Sequence, residues 1–562
     1  MAAEKQDTVQ VSVDQGSPDR SIGDDLEKKG SQIQQYQAGA FETREGHHHY
    51  RPIDSYEGIH RWDPEFEWTE EEEKKIVRKI DARVLTFACL TFFALQLDRG
   101  NIGQALSSTF LQDLDMTSND FNLGQTVFYV CFLLAEMPSQ LLSKRIGPDR
   151  WIPAQIFLWS LIAACHAFLK GRGAYLALRA LLGLIEGGLY VLFPLFYVDR
   201  KLTTYDSIPD TILFLSFFYK SNELPKRLTW FWISCTIATI VGAFMAFGFL
   251  HITDSHGGGS WRYLFAYEGL VTGVIGIIAG FWMPASPVQT KGWLRGKNGW
   301  FTEHEEKIIV NRVIRDDPSK GSMHNRQAVT PKRLWASLKD FHMWPIYSLG
   351  LIWAIPFTPA GDYLTLQLRS QGFTTFQTNL LVIPSSVIGI ITMAAITWVA
   401  ERTNQRLLWG AGVELWNLAL LIALELLPER SMPWQRWVVF TLLVGGPSIH
   451  PVVVALASRN AGSVRTRTVA TALYNMSVQL SSIASSNVYQ AKDAPYYRHG
   501  NKVLIALAVV SMALFVFGKF FYDFWNRKNA ATWDAMTSEQ REIYLRENPE
   551  LTNKRLDFRF AR

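Results

Sequence analysis

A few polar side chains of this 562-residue chain sit inside apolar runs, and their types and spacing define the chemistry open to it. Asp98 and Arg99 close one run, with Asn101 and Gln104 just beyond. Arg179 and Glu186 lie seven residues apart in another, close to two helical turns, which puts both on one helix face. Asn475 and Gln479 stand one turn apart in a third. An ionisable side chain at mid-bilayer costs roughly 2.5–3.5 kcal/mol on insertion scales, so each needs a partner or a task. An arginine in a cavity grips an oxyanion bidentately. A carboxylate beside it can exchange a proton, so the pair offers anion binding and a proton switch at one depth. The competing reading is an interhelical salt bridge that only fixes packing. Asn475 and Gln479 have two readings of equal weight, substrate contact or interhelical hydrogen bonding.

Other polar residues carry weaker signals. Glu136 in AEMPS (135–139) and Glu268 in AYEGL (266–270) read as caps or as partners of neighbouring helices. His450, after GGPSI, reads as a satisfied core histidine, and the His47–His49 triplet as incidental. The four cysteines, Cys89, Cys131, Cys165 and Cys235, all fall in apolar runs and read as small buried hydrophobes, with no metal or disulfide pattern. No nucleophile–base pair, metal cluster or phosphate loop emerges, which argues against an enzyme and implies no cofactor.

The elements that must position these residues are membrane helices. Apolar residues make up 48% of the chain and charged residues only 19%, with 20 Trp and 35 Phe. A typical soluble domain carries about 25% charged residues. The mean hydropathy of +0.02 averages a polar wrapper (1–79 and 526–562) and a membrane-like interior. Runs near the 20 residues a bilayer needs occur at 82–98, 121–143, 151–169, 174–198, 228–250, 263–283, 343–360, 377–400, 407–427, 435–457, 468–490 and 502–525. This predicts an all-α integral membrane protein of 12 transmembrane helices, in six-helix bundles at 80–283 and 342–525, joined by a linker at 284–341.

Residues 1–79 read as a largely disordered tail, ending in a helix capped by Thr69 and Glu72, and 526–562 as a second tail. In the linker, Thr302 and Glu305 form another capping box, opening an amphipathic helix that reads as part of a passive connection between the halves. Basic clusters flank alternate loops, which places both termini in the cytoplasm. The net charge of +5 is scattered, giving no sign of nucleic-acid binding. A monomer suffices for this architecture.

Six plus six spans with a central linker look like the major facilitator superfamily. The segments LDRGNIGQAL (97–106), FNLGQTVFYVCFLLAEMPSQLLSKRIGPDRW (121–151), RALLGLIEGG (179–188), WRYLFAYEGL (261–270) and RNAGSVRTRTVATALYNMSVQL (459–480) resemble the fungal allantoate permease family of anion:cation symporters. The resemblance runs from about residue 75 to 525. It implies proton-coupled uptake of a small organic anion by alternating access, the anion at Arg99 and Arg179 and the proton at Asp98 or Glu186. The family's substrates include allantoate, ureidosuccinate, vitamins and sulfur compounds, and the motifs do not separate them. Plasma membrane is the default location. Rival readings are a metabolite exporter working by proton antiport and a non-transporting nutrient sensor.

One departure from the family is large. The family's fourth helix runs from EGG through a single aromatic residue into IPD, whereas here 19 residues, 189–207, separate Gly188 from Ile208. The excess of 18 residues equals 54 nucleotides, which fits a retained intron; a genuine insertion is the alternative. Either way the segment disturbs the helix bearing Arg179 and Glu186, and the chain as written is expected to transport poorly.

Overall fold

Each helix begins or breaks where its residues require it. The computed structural model describes residues 51–52, 54, 56–146, 148–187, 215, 217–220, 223–252, 259–316, 335, 337–428, 432–462, 464–547 and 553–562. The His47–His49 triplet, the first 50 residues of the predicted tail, the 189–207 insert and linker residues 317–334 lie outside them, as does the Glu136 side chain. In the first half, α1 spans Glu70–Ala105, α2 Ser118–Ile146, α3 Pro148–Cys165, α4 Arg172–Glu186, α5 Leu224–Phe249 and α6 Trp261–Trp282. Thr69 caps α1 as expected: its hydroxyl accepts from the Glu72 amide at 3.3 Å, and its own amide donates to the Glu72 carboxylate at 2.9 Å.

The second half holds α8 (Trp344–Ile352), α9 (Leu364–Ser370), α10 (Thr375–Thr403), α11 (Arg406–Leu426), α12 (Pro433–Val444), α13 (His450–Asn460), α14 (Val464–Ser485), α15 (Arg498–Asp534) and α16 (Ser538–Glu547). Two of the predicted runs are therefore broken. Pro356 cannot accept the helix past Ile352, the residue four before it, and Gly445-Gly446-Pro447 ends α12. Seven described helices are long and apolar enough to cross a membrane: α1, α3, α5, α6, α10, α11 and α15. Among the described residues the β pairing is limited to a bridge between Gly292 and Gly296.

Within the first half, α1 packs on α5 and α6, α3 on α6 and α2 on α4; in the second, α11 packs on α15 and α8 on α14. The halves meet along α5–α10 and α2–α14. One apolar cluster, including Phe110, Phe121, Tyr363 and Tyr489, is shared by both halves at the helix ends far from Glu70. At the opposite ends each half keeps a cluster of its own. Hydrogen bonds reinforce the shared end. The Tyr363 hydroxyl donates to Asn122 Oδ1 at 2.5 Å, Asn122 Nδ2 to the Tyr489 carbonyl at 2.6 Å, and Thr365 Oγ1 to the Gly103 carbonyl at 2.6 Å.

The linker helix α7 (Glu303–Asp316) is fastened to the first half rather than suspended between halves. Ile308, Ile309, Val310, Val313 and Ile314 are buried, and the fully buried Arg312 side chain reaches Glu73, Glu223 and the Phe218 carbonyl. The expected box is present: Glu305 N donates to Thr302 Oγ1 at 3.3 Å and Thr302 N to the Glu305 carboxylate at 2.9 Å. Glu305 also holds Lys79 of α1 at 2.7 Å. In the second half, the segment carrying Phe560 is similarly tucked in, with Ala561 N donating to Asn460 Oδ1 at 2.7 Å.

Burial acts to raise the pKa of Glu305, but Lys79 and the Thr302 amide outweigh it and hold Glu305 below the ordinary carboxylate value. A group depressed in the folded state adds stability that is complete above its unfolded pKa of about 4.3 and is lost as pH falls through the folded value. Hydrogen exchange should therefore show α7 equally protected at pH 8 and pH 6 and less protected below about pH 4. Glu305→Gln should remove part of that acid-side loss. Protection of α7 that is unchanged down to pH 3 would show that the Lys79–Glu305 clasp does not hold it.

Candidate functional site

Asp98 and Arg99 are neighbours in sequence but successive side chains on a helix diverge by about 100°. Arg99 turns toward α4, where its Nε lies 2.5 Å from Glu186 Oε2. The Glu186 side chain is fully buried, whereas that of Arg99 is 30% exposed. The Arg99 guanidinium rests over the rings of Phe132 and Phe128 on α2, at 5.1 and 5.7 Å. Asp98 turns the other way, toward α6, and accepts from Thr272 Oγ1 at 3.1 Å. One turn before Thr272 stands Glu268, fully buried, with the Asn101 side chain beside its carboxylate. The Trp159 indole likewise approaches the Asp98 carboxylate. Asp98 interacts electrostatically with both Glu268 and Glu186, so the two groups of carboxylates share one field although the hydrogen bonds of Asp98 and Arg99 go to different helices.

Arg179 and Glu186 do share a face of α4, as their spacing predicts, and that face meets α2. Arg179 is buried, donates through Nη2 to Gln125 Oε1 and stacks over Phe128 at 4.6 Å. Its Nε has no partner, and among the described residues no carboxylate forms an ion pair with it. The close approach comes from two glycines. A Cβ at Gly183 would collide with the Phe128 carbonyl, and one at Gly187 with the Phe132 carbonyl. Small residues let membrane helices come into backbone contact, and here they set both guanidinium groups over the α2 rings.

Sequence reasoning passed over the α2 face itself. Phe121, Asn122, Gln125, Phe128, Tyr129 and Phe132 recur at three- and four-residue steps, so they form one stripe. The signal was available: three polar groups at helical spacing in an otherwise apolar run. Asp362 was missed too. It ends the single turn Thr358–Asp362 in the broken stretch between α8 and α9, is half-buried, and lies within electrostatic reach of Arg179.

Asn475 and Gln479 are half-buried on α14, the helix of the second half that meets α2. The bonds of Arg99 and Arg179 go instead to Glu186 and Gln125. His450 has structural partners: its Nδ1 lies 3.2 Å from the Tyr474 hydroxyl, and its ring packs on Trp353 and against the edge of Trp232. The arrangement as a whole can bind an anion at Arg179, release Arg99 when Glu186 takes a proton, and hold a further proton between Asp98 and Glu268.

Comparison with known proteins agrees with this architecture. Residues 212–486 match the family model described as Major Facilitator Superfamily. The chain is 40% identical over 507 residues to the uncharacterized transporter YIL166C of Saccharomyces cerevisiae, covering 90% of each chain. It is 26% identical over 470 residues to the MFS transporter prlL of a fungal species (strain NRRL 50135), covering 82% of this chain and 88% of that one. Among solved structures, a bacterial homologue of the human lysosomal transporter Spinster, inward-facing and occupied, aligns with a TM-score of 0.54 at 11% identity, over 78% of this chain and 97% of that one. The xylose transporter XylE from E. coli, in a partially occluded inward-open conformation, aligns with a TM-score of 0.52 at 13% identity, over 77% and 96%. Helices, packing and relatives coincide: the chain belongs to the major facilitator superfamily and is a multi-pass membrane transporter.

Proposed function

We propose that this transporter carries a small organic anion into the cell together with protons, in the manner of the allantoate permease family. The observation that carries the reading is Arg179, a buried guanidinium held by a neutral amide and an aromatic face, with no carboxylate in ion-pair contact among the described residues. An arginine so placed in a membrane protein is stabilised by an anion that arrives from outside the fold. Beside it, Arg99 is engaged by Glu186. A proton on Glu186 weakens that pair and turns Arg99 toward the same ligand, so proton and anion favour each other's binding. Asp98, beside Glu268, is the second proton position; two buried carboxylates without a cation between them repel unless a proton lies between them.

With proton and anion bound, the charges at the site balance and the halves can reorient around it, as alternating access requires. Asn475 and Gln479, on a helix of the second half that meets α2, would complete the substrate contacts. The reading includes 12 spans, the broken stretches α8–α9 and α12–α13 each crossing once. It also includes cytoplasmic termini, a plasma-membrane location and a monomer in the bilayer. The 189–207 segment follows Gly188, two residues past Glu186, so the written chain is expected to be inactive or slower than one in which Phe alone replaces it.

Uptake of labelled organic anions under an inward proton gradient tests the reading, with both chains compared. Glu186→Gln should abolish pH-driven accumulation while leaving anion exchange; accumulation that survives the change would move the proton site elsewhere. Flux outward under the same gradient would establish export instead. Gln125→Glu supplies Arg179 with a resident counter-charge. It should lower anion uptake about tenfold to a hundredfold, the worth of one charged hydrogen bond, without lowering thermal stability in detergent. Unchanged uptake by that variant would remove Arg179 from the substrate site.

A further inference from the structure

The charges between the two halves do not pair off completely. Arg99 and Glu186 neutralise each other. Arg179 has no carboxylate partner of its own among the described residues. Asp362, from the second half, forms no hydrogen bond or ion pair among the described residues yet feels the field of Arg179. Tyr129 interacts electrostatically with Arg99, Arg179, Glu186 and Asp362 together, so its side chain lies among all four.

The two unpaired charges hang from one stretch of α2. Gln125 holds Arg179, while Asn122, three residues earlier on the same stripe, accepts from Tyr363 at 2.5 Å. Tyr363 also packs edge-on against Phe121, with ring centroids 6.0 Å apart. Asp362 is the residue next to Tyr363, so its backbone is pinned where the halves meet. A cation on one half and an anion on the other thus lie within electrostatic reach of each other, with no ion pair between them among the described residues.

We infer that the substrate is zwitterionic, its acid group bound by Arg179 and its ammonium or guanidinium group by Asp362. This rests on the transport reading above and narrows its substrate class. A simple monoanion would satisfy Arg179 but meet the Asp362 carboxylate at close range, where like charges are costly in a low dielectric. A molecule carrying both signs satisfies the two groups at once. Because the charges belong to opposite halves, such a ligand also bridges them.

The test uses matched pairs that differ only in the amine: β-alanine with propionate, and 3-aminopropanesulfonate with propanesulfonate, plus succinate as an anion without an amine. Binding to the purified full chain and uptake into proteoliposomes are measured for the original protein, Asp362→Asn and Asp362→Glu. The expected result is at least a tenfold preference for an amine-bearing member. Asp362→Asn should abolish or reverse that preference and Asp362→Glu should retain it. Amine-free anions handled as well as their partners, or a preference untouched in Asp362→Asn, would overturn the zwitterion inference and leave organic-anion transport standing. Failure of every probe to bind or move would count against the organic-anion reading itself, and the inference would fall with it.

Discussion

The ion pair between Arg99 and Glu186 decides how every other charge in the site behaves. A guanidinium and a carboxylate removed from water are tolerable only when they meet at hydrogen-bonding distance, and breaking such a pair by deleting one partner typically costs about 3–5 kcal/mol. Because Glu186 is committed to Arg99, Arg179 one face-repeat earlier on α4 is left with Gln125 and the Phe128 ring. The two arginines thus have different roles from the same surroundings. In the proposed mechanism one is held in reserve by a carboxylate that a proton discharges, and the other receives the anion.

The second organising element is α2. One stripe of it carries the seam to the second half through Phe121 and Asn122, the support of Arg179 through Gln125, and the aromatic floor through Phe128 and Phe132. Gly183 and Gly187 press α4 onto that stripe. A change in how the halves meet at Tyr363 therefore acts on the same helix face that holds Arg179, the arginine proposed to bind the anion. The shared apolar cluster at one end and the separate clusters at the other divide the molecule into a joined end and an independent end. Arg312 and Glu305 tie α7 to the first half.

Much of this could be read from residue order. Both capping boxes, at Thr69 and Thr302, have the expected hydrogen bonds, because a box is a local arrangement of four residues. The shared face of Arg179 and Glu186 followed from helical periodicity alone. Long-range relations were less legible. Asp98 and Arg99 look like a unit in sequence, and only the positions of α4 and α6 show that their hydrogen bonds go to different helices. Asp362 escaped notice because the apolar run ended at residue 360. Pro356 carries the chain out of α8, so the residue proposed to hold the substrate's cation lies just past the end of that run. Proline and glycine were the signals of both helix breaks, but apolar side chains on either side suit a continuous helix equally well.

The account turns on whether Glu186 and Arg99 act as one unit, and a double-mutant cycle measures that directly. Arg99→Gln, Glu186→Gln and the double variant would be compared by unfolding in detergent micelles at pH 8. If the pair is as close as the structure places it, each single change is strongly destabilising, the double change costs much less than their sum, and the coupling is about 2 kcal/mol or more. Additive effects, with the double variant as unstable as the two single losses combined, would contradict the pairing and with it the division of labour between the two arginines.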